Sequence, residues 1–328
     1  MNSTFALVGG MNNYLIEVKN LGKEFLQGGF WEGAMRVRAL QQINLQVEAG
    51  KTLGLVGESG CGKSTLAKII MRLEYPTQGS VFFEGQDIFQ LRGKEIAKYR
   101  RQLGMIFQDP LSSINPRHTV EETLAEPFLI HSAHCRKERT TRVLNLLAAV
   151  GLPADIMDSY PHELSGGQRQ RVGIARAIAM QPKLLVADEP VSSLDVSVRA
   201  QILNLLKDIQ EKFSLSSLFI SHDLAVVRFM SDTIAVMYAG TIVEQANSED
   251  LFRAPRHPYT RLLLDSLPQM GQMSSCIPLK ARVAREGQGA CPFYGSCPSV
   301  LDLCAVAAPS LRQVADGHFL ACHRYDTR

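Results

Sequence analysis

The stretch Gly57-Glu58-Ser59-Gly60-Cys61-Gly62-Lys63-Ser64-Thr65 constrains this chain more than any other. Gly57 and Gly62 are followed at once by Lys63 and Ser64, after the apolar run Thr52-Leu53-Gly54-Leu55-Val56 and before a helix expected from Ser64 to Met71. Strand, glycine loop and helix is the order a phosphate cradle requires. Glycines let the backbone bend into a concave nest with its N–H groups turned inward, and the helix N-terminus adds partial positive charge. In such a cradle Lys63 reaches β- and γ-phosphates and Ser64 offers its hydroxyl to Mg²⁺.

Composition narrows the class. At 328 residues, with 45% hydrophobic and 20% charged residues, the chain is long enough for two domains and has the material for a large core. Lys plus Arg number 35 against 32 Asp plus Glu, a net charge of +3, so no strong field favours nucleic acid or an anionic membrane surface. No run approaches about 18 uninterrupted apolar residues, and no membrane span is expected. Met1 to Gly10 lacks the basic start of a secretory signal, which makes the cytosol the expected compartment. Thiols stay reduced there, so the seven cysteines read as thiols or metal ligands before disulfides.

Residues 1–13 read as a loose tail. Leu15-Ile16-Glu17-Val18 and Ile43-Asn44-Leu45-Gln46-Val47 alternate as strands around a loop insertion over Gln27 to Gly33, and Phe25 beside it is the candidate for stacking on a purine. Ser80 to Phe83 and Leu103 to Phe107 are further strands, the second ending on Gln108, with a polar helical segment from Gln86 to Arg101 between them. From about 109 to 167, prolines punctuate helical stretches such as Arg139 to Val150 with no strand pattern, which predicts an all-helical insertion. Leu184 to Asp188, the helical spacing of Val196 to Lys212 and Leu218 to Ile220 restore strand–helix alternation, and with it a parallel sheet covered on both faces. Periodicity ends at Ser248. The expected division is a tail at 1–13, a cassette at 14–250 that contains the helical insertion, and an extension at 251–328.

Two further motifs bear on phosphate chemistry. Leu184-Leu185-Val186-Ala187-Asp188-Glu189 is a strand ending in two acids, Asp188 placed to hold Mg²⁺ and Glu189 to polarise an attacking water. Leu164-Ser165-Gly166-Gly167-Gln168 opens a helix and forms a second anion nest, although one site needs only one cradle for its terminal phosphates.

Taken in order, these motifs resemble the nucleotide-binding subunit of ABC transporters. Gly57 to Thr65 matches the Walker A loop, Gln108 the Q-loop, Leu164 to Gln168 the signature, Leu184 to Glu189 Walker B, Ser192-Ser193-Leu194-Asp195 the D-loop, and His222 the switch histidine. The resemblance covers nearly the whole chain. It implies an α/β phosphate-loop cassette with an antiparallel β subdomain, an inserted all-helical subdomain and a C-terminal extension. It also implies that two subunits sandwich two ATP molecules head to tail. Ser165, Gly166, Gly167 and Gln168 of one then face the γ-phosphate held by the other. Gln108 touches Mg²⁺ and the attacking water, and His222 donates to the γ-phosphate.

Asn115-Pro116-Arg117, Arg256-His257-Pro258-Tyr259-Thr260 and the C-terminal cysteines resemble the peptide and nickel importer group, closest to the second of its two paired ATPases. That resemblance implies a heterodimer with a sister ATPase at the cytoplasmic face of the inner membrane, beneath two permeases fed by an extracytoplasmic binding protein. The helical insertion would meet the permeases' coupling helices.

Cys291, Cys297, Cys304 and Cys322 lie in a proline-rich tail with little apolar material to bury, where a metal staple gives a reason for order. Four thiolates suit either a [4Fe–4S] cluster or tetrahedral Zn²⁺. In the peptide-importer ATPases this spacing is associated with the iron–sulfur cluster. A zinc site, mixed if His323 joins it, and incidental or disulfide-bonded cysteines are the alternatives. Cys61 reads as a small packing residue; Cys135 and Cys276 carry no readable role. ABC ATPases acting on DNA or ribosomes usually carry two cassettes in one chain or a long coiled coil, and the extension argues against an exporter. The transported solute is not legible.

Overall fold

A computed structural model describes residues 13–27, 35–109, 113–131, 136–266 and 290–326. Cys135, Cys276, most of the Gln27–Gly33 insertion and nearly all of the N-terminal tail lie outside these residues. Strands β1 (Tyr14–Gln27), β2 (Met35–Glu48) and β3 (Thr52–Val56) lead into helix α1 (Lys63–Ile70). There follow β4 (Gln78–Phe83), β5 (Gln86–Asp87), α2 (Lys94–Arg101) and β6 (Leu103–Ile106). Next come α3 (Val120–His131), α4 (Arg136–Ala149), α5 (Gly166–Ile178), β7 (Leu184–Asp188), α6 (Val196–Phe213), β8 (Ser216–Ile220) and α7 (Leu224–Met230). The chain closes with β9 (Thr233–Tyr238), β10 (Thr241–Asn247), α8 (Ser248–Arg253), α9 (Pro258–Asp265), β11 (Arg312–Ala315) and β12 (His318–Leu320).

An eight-stranded sheet runs β11-β12-β10-β9-β3-β8-β7-β6, and a four-stranded antiparallel sheet runs β2-β1-β4-β5. β6, β7, β8, β3 and β9 pair in parallel, the arrangement expected of strands separated by helices. Their side chains alternate between two cores. Leu53, Leu55, Leu184, Val186, Leu218, Ile220, Ala235 and Met237 face the antiparallel sheet and α1. Val56, Leu185, Ala187, Phe219, Ile234 and Val236 face the helical side with Ile174, Ile202 and Leu206. A sheet buried on both faces explains why Leu184 to Ala187 reads as an unbroken apolar run. It also holds the C-terminal ends of β3, β6, β7 and β8 side by side, with Gln108, Asp188 and Glu189 at or just beyond those ends.

Between β6 and α5 the described residues form α-helices and 3₁₀ turns joined by loops, with no strand among them, as the proline punctuation predicts. Two readings change. Within Gln86 to Arg101 only Lys94–Arg101 is α-helical, Gln86 and Asp87 pairing instead with Phe83 and Phe82. Beyond Ser248, where the sequence loses periodicity, the chain forms α8 and α9 and returns as the β11–β12 hairpin, which extends the main sheet through the pairs Glu244↔Leu320 and Gln245↔Phe319. Each of these elements is under nine residues, too short for a clear period.

The join is polar and buried. Glu244 on β10 is fully buried; it meets His318 Nε2 at 2.7 Å and accepts the backbone N–H groups of Arg256 at 2.8 Å and His257 at 3.0 Å. Burial alone raises its carboxyl, but the hydrogen bonds outweigh it and hold the group below its ordinary value. His257, 2% exposed, caps α9 by accepting Tyr259 N–H at Nδ1, 3.1 Å away. That bond needs an unprotonated Nδ1. Burial pushes His257 from its ordinary 6.5 down to about 4, against the opposing pull of Glu244 and the Ala321 carbonyl. Between pH 6.5 and 4 the unfolded chain therefore binds more protons than the folded one, and stability falls as pH drops through that window, by about 3 kcal/mol in all. Thermal melts are expected to fall by several degrees across this window. His257→Asn, which keeps a cap acceptor but does not titrate, should flatten part of that fall.

Candidate active site

The phosphate loop leaves fully buried β3 at Gly57 and enters α1 at Lys63. Two glycines are required by what surrounds them. Gly57 has φ +155°, and a Cβ there would lie 2.1 Å from the Met237 carbonyl oxygen. Gly62, the left-handed N-cap of α1, has φ +109° and a Cβ position 2.5 Å from the Ala39 carbonyl oxygen. At Gly60, also with positive φ, a Cβ would meet nothing within 4 Å, so the loop stands open on that side. Glu58, Ser59, Gly60 and Ser64 are exposed, Thr65 is half-buried, and Cys61 is buried against the core, the packing role expected of it.

Lys63 is 5% exposed, and its Nζ donates to the Gly57 and Glu58 carbonyl oxygens at 2.7 and 2.8 Å. Among the described residues no carboxylate lies within ion-pair distance of it. A buried ammonium whose partners are two neutral carbonyls and the Cys61 thiol sulfur, 3.8 Å away, is an incomplete arrangement that an anion in the loop completes. The glycine cradle and this unpaired cation both fit a polyphosphate.

The acids stand at the end of β7. Asp188 Oδ1 accepts the Ser64 hydroxyl at 3.2 Å, and burial raises its carboxyl above the ordinary value, with the Ser64 bond opposing. The two oxygens that the sequence assigns to Mg²⁺ therefore face one another across the loop. Glu189 has φ +48°, unusual for a non-glycine residue, and its N–H bonds the Ile220 oxygen at 2.9 Å. On Glu189, Oε2 accepts Gln108 Nε2 at 3.2 Å and Oε1 lies 3.2 Å from His222 Nδ1. Gln108, Glu189 and His222 follow β6, β7 and β8 respectively, so three residues far apart in sequence form one hydrogen-bonded group. His222 is 56% exposed and has room to swing; Glu189 is 13% exposed.

Other expected residues stand apart from this group. Ser165 caps α5 through a reciprocal pair, its Oγ accepting Gln168 N at 3.2 Å while Gln168 Oε1 accepts Ser165 N at 2.8 Å. Ser165 and Gly166 are exposed, Gly167 and Gln168 partly so, and among the described residues no hydrogen bond links them to the phosphate loop. Asp195 caps α6, accepting Val198 N at 3.0 Å. Phe25 is 38% exposed on β1 with Lys23 Nζ 4.8 Å from its ring centre. It pairs with Val37, two residues before Ala39, which abuts Gly62.

In the extension the four cysteines act on one another. Burial pushes the Cys291 thiol up to about 11, with Cys304, Cys297 and Cys322 adding to the rise. Cys291 N–H bonds the Cys304 oxygen at 2.9 Å. His323 is engaged elsewhere, Nδ1 with Asp326 at 2.7 Å and Nε2 with the Ala307 oxygen at 3.0 Å. Among the described residues no group of three or more His, Cys, Asp or Glu side chains is arranged to hold a metal ion, so the structure does not support the expected four-cysteine metal site.

A phosphate cradle, a Ser–Asp pair and a Gln–Glu–His group at adjoining strand ends define a phosphate-loop ATPase. Comparison with known proteins sharpens the class. The family described as ABC transporter matches residues 40–192, and that described as oligopeptide/dipeptide transporter, C-terminal region, matches residues 243–304. The chain is 42% identical to the oligopeptide transport ATP-binding protein AppF of Bacillus subtilis, over 95% of this chain and 97% of that one. It is 45% identical to the putative oligopeptide transport ATP-binding protein YkfD of the same organism, over 95% of each. Among solved structures it resembles the dimeric post-hydrolysis state of the ATP-binding cassette MJ0796 bound to ADP and Pi, with TM-score 0.64 and 31% identity over 71% of this chain and 98% of that one. The chain belongs to the ABC transporter ATPases, in the oligopeptide/dipeptide transporter group.

The sequence did not single out Tyr259, whose phenol accepts the Glu58 N–H of the phosphate loop at 3.2 Å. Its only signal was membership of the Arg256–Thr260 stretch.

Proposed function

We propose that this chain is the ATP-hydrolysing subunit of an importer that drives uptake of di- or oligopeptides, or related small solutes, across the bacterial inner membrane from its cytoplasmic face. The observation that carries the reading is a Lys63 ammonium buried in the phosphate loop with no carboxylate partner among the described residues, in a chain that also brings Gln108 and His222 to Glu189. Gly57 to Thr65 cradle the phosphates, and Lys63 exchanges its carbonyl partners for β- and γ-phosphate oxygens. Ser64 and Asp188, with Gln108, hold Mg²⁺, which when bound neutralises phosphate charge. Glu189 orients the attacking water and takes its proton at a carboxylate oxygen, while the Gln108 amide fixes that carboxylate's direction. His222 leaves Glu189 to donate to the γ-phosphate. Phe25 stacks on the adenine.

The exposed cap at Ser165 to Gln168, with Asp195, closes over the nucleotide of a second subunit. A sister ATPase is the partner we favour. The exposure of this cap, and the absence among the described residues of a hydrogen bond between it and the chain's own phosphate loop, support closure over a second subunit's nucleotide. On the helical layer a cavity of about 450 Å³ lined by Arg101, Phe128, His131 and Arg142, beside exposed Leu129 and Ile130, suits a permease's cytoplasmic helix. Coexpression with two permeases and a binding protein tests the reading: the chain should copurify with them from membranes, and failure to recover any membrane partner would count against it.

The four thiols of Cys291, Cys297, Cys304 and Cys322 would hold a [4Fe–4S] cluster, with Zn²⁺ as the alternative; the influence of the other three thiols on Cys291 supports the reading but does not choose the metal. Anaerobically purified protein is expected to absorb near about 400 nm through thiolate-bound iron. Stoichiometric zinc without that band would replace iron by zinc.

A further inference from the structure

The stretch Arg256–Thr260 has a physical design that nucleotide chemistry leaves unexplained. Glu244 clamps the backbone N–H groups of Arg256 and His257, and His257 caps α9, so the start of that helix is fixed against the main sheet. Tyr259 then projects inward, fully buried, and its phenol oxygen takes the Glu58 N–H. On its far side Tyr259 packs against Tyr238, ring centres 4.7 Å apart, and against Phe293 at 5.5 Å. Phe293 is 1% exposed, lies 5.1 Å from Tyr238 and sits between Cys291 and Cys297 in sequence. Tyr238 also bonds Ser296, the neighbour of Cys297. One aromatic trio therefore touches the phosphate loop at one end and the cysteine segment at the other.

We propose that Tyr259 is a positioning residue for the phosphate loop and couples the order of the cysteine segment to nucleotide affinity. This rests on reading Gly57 to Thr65 as the nucleotide cradle. The Glu58 N–H precedes the open part of the loop at Gly60, so Tyr259 holds the loop's first turn, which the Cys61 N–H closes by donating to the Glu58 oxygen at 3.3 Å. Linkage makes the coupling reciprocal: if an ordered cysteine segment tightens nucleotide binding, bound nucleotide must order that segment to the same extent.

The test uses full-length protein, the fluorescent nucleotide mant-ATP and hydrogen–deuterium exchange. Tyr259→Phe keeps the ring and removes the hydroxyl. Its affinity for mant-ATP is expected to fall about five-fold, the effect of one hydrogen bond, with little change in the single-turnover rate at saturation. In the wild type, mant-ATP should slow exchange across residues 290–304; in Tyr259→Phe it should not. Unchanged affinity in the variant overturns the positioning role, and retained nucleotide-dependent protection of 290–304 overturns the coupling. If Tyr259→Phe fails to fold, Phe293→Leu decides, since it keeps the phenol and loosens the trio: weaker affinity with lost protection supports the proposal, and wild-type behaviour refutes it. Failure of the wild type itself to bind mant-ATP would instead remove the nucleotide reading.

Discussion

Glu189→Gln is expected to bind ATP with near wild-type affinity and to lose turnover by at least about 10²–10³-fold. Gln is close in shape to Glu, and its amide oxygen still accepts the Gln108 Nε2 donor now 3.2 Å from Oε2. What disappears is the capacity to take a proton from water. Because Glu189 does not touch the lysine that grips phosphate, binding and turnover should separate cleanly in a nucleotide-binding titration run beside a phosphate-release assay. Near-normal hydrolysis by the variant would show that another group is the base.

Lys63→Met should do the opposite. It removes charge-assisted hydrogen bonds to phosphate, worth about 10- to 100-fold in affinity. Yet the unliganded fold should hold or gain stability, because the variant no longer buries an ammonium whose partners are all neutral, two carbonyl oxygens and a thiol sulfur. Melting curves with and without ATP separate these effects: the variant's own melting temperature is held or raised, and the ATP-induced increase is lost. A residue kept only for packing would show a lower melting temperature instead.

Much of this site was legible because phosphate chemistry writes locally. Gly57, Gly62, Lys63 and Ser64 lie within one loop, and the backbone angles that demand glycine are properties of that loop. Asp188 and Glu189 end a strand whose apolar run announces its burial. The sequence could also nominate Gln108 and His222, but their meeting at one carboxylate depends on β6, β7 and β8 lying side by side. What stayed hidden was long-range. Glu244 and His318 are 74 residues apart, and Tyr259 reaches a backbone N–H 201 residues away. Neither contact leaves a periodic trace, since a single buried polar pair has no repeat, and the short β11 and β12 take their order from β10 rather than from their own pattern.

The central claim is that ATP turnover at this site drives solute movement through permease partners. Its most direct test is ATP-dependent uptake of labelled di- and oligopeptides by proteoliposomes carrying the complete transporter, with phosphate release measured in the same vesicles. Uptake is expected to require ATP and the binding protein, and to stop with Glu189→Gln in this subunit. Undiminished uptake by a transporter carrying that variant would contradict the account.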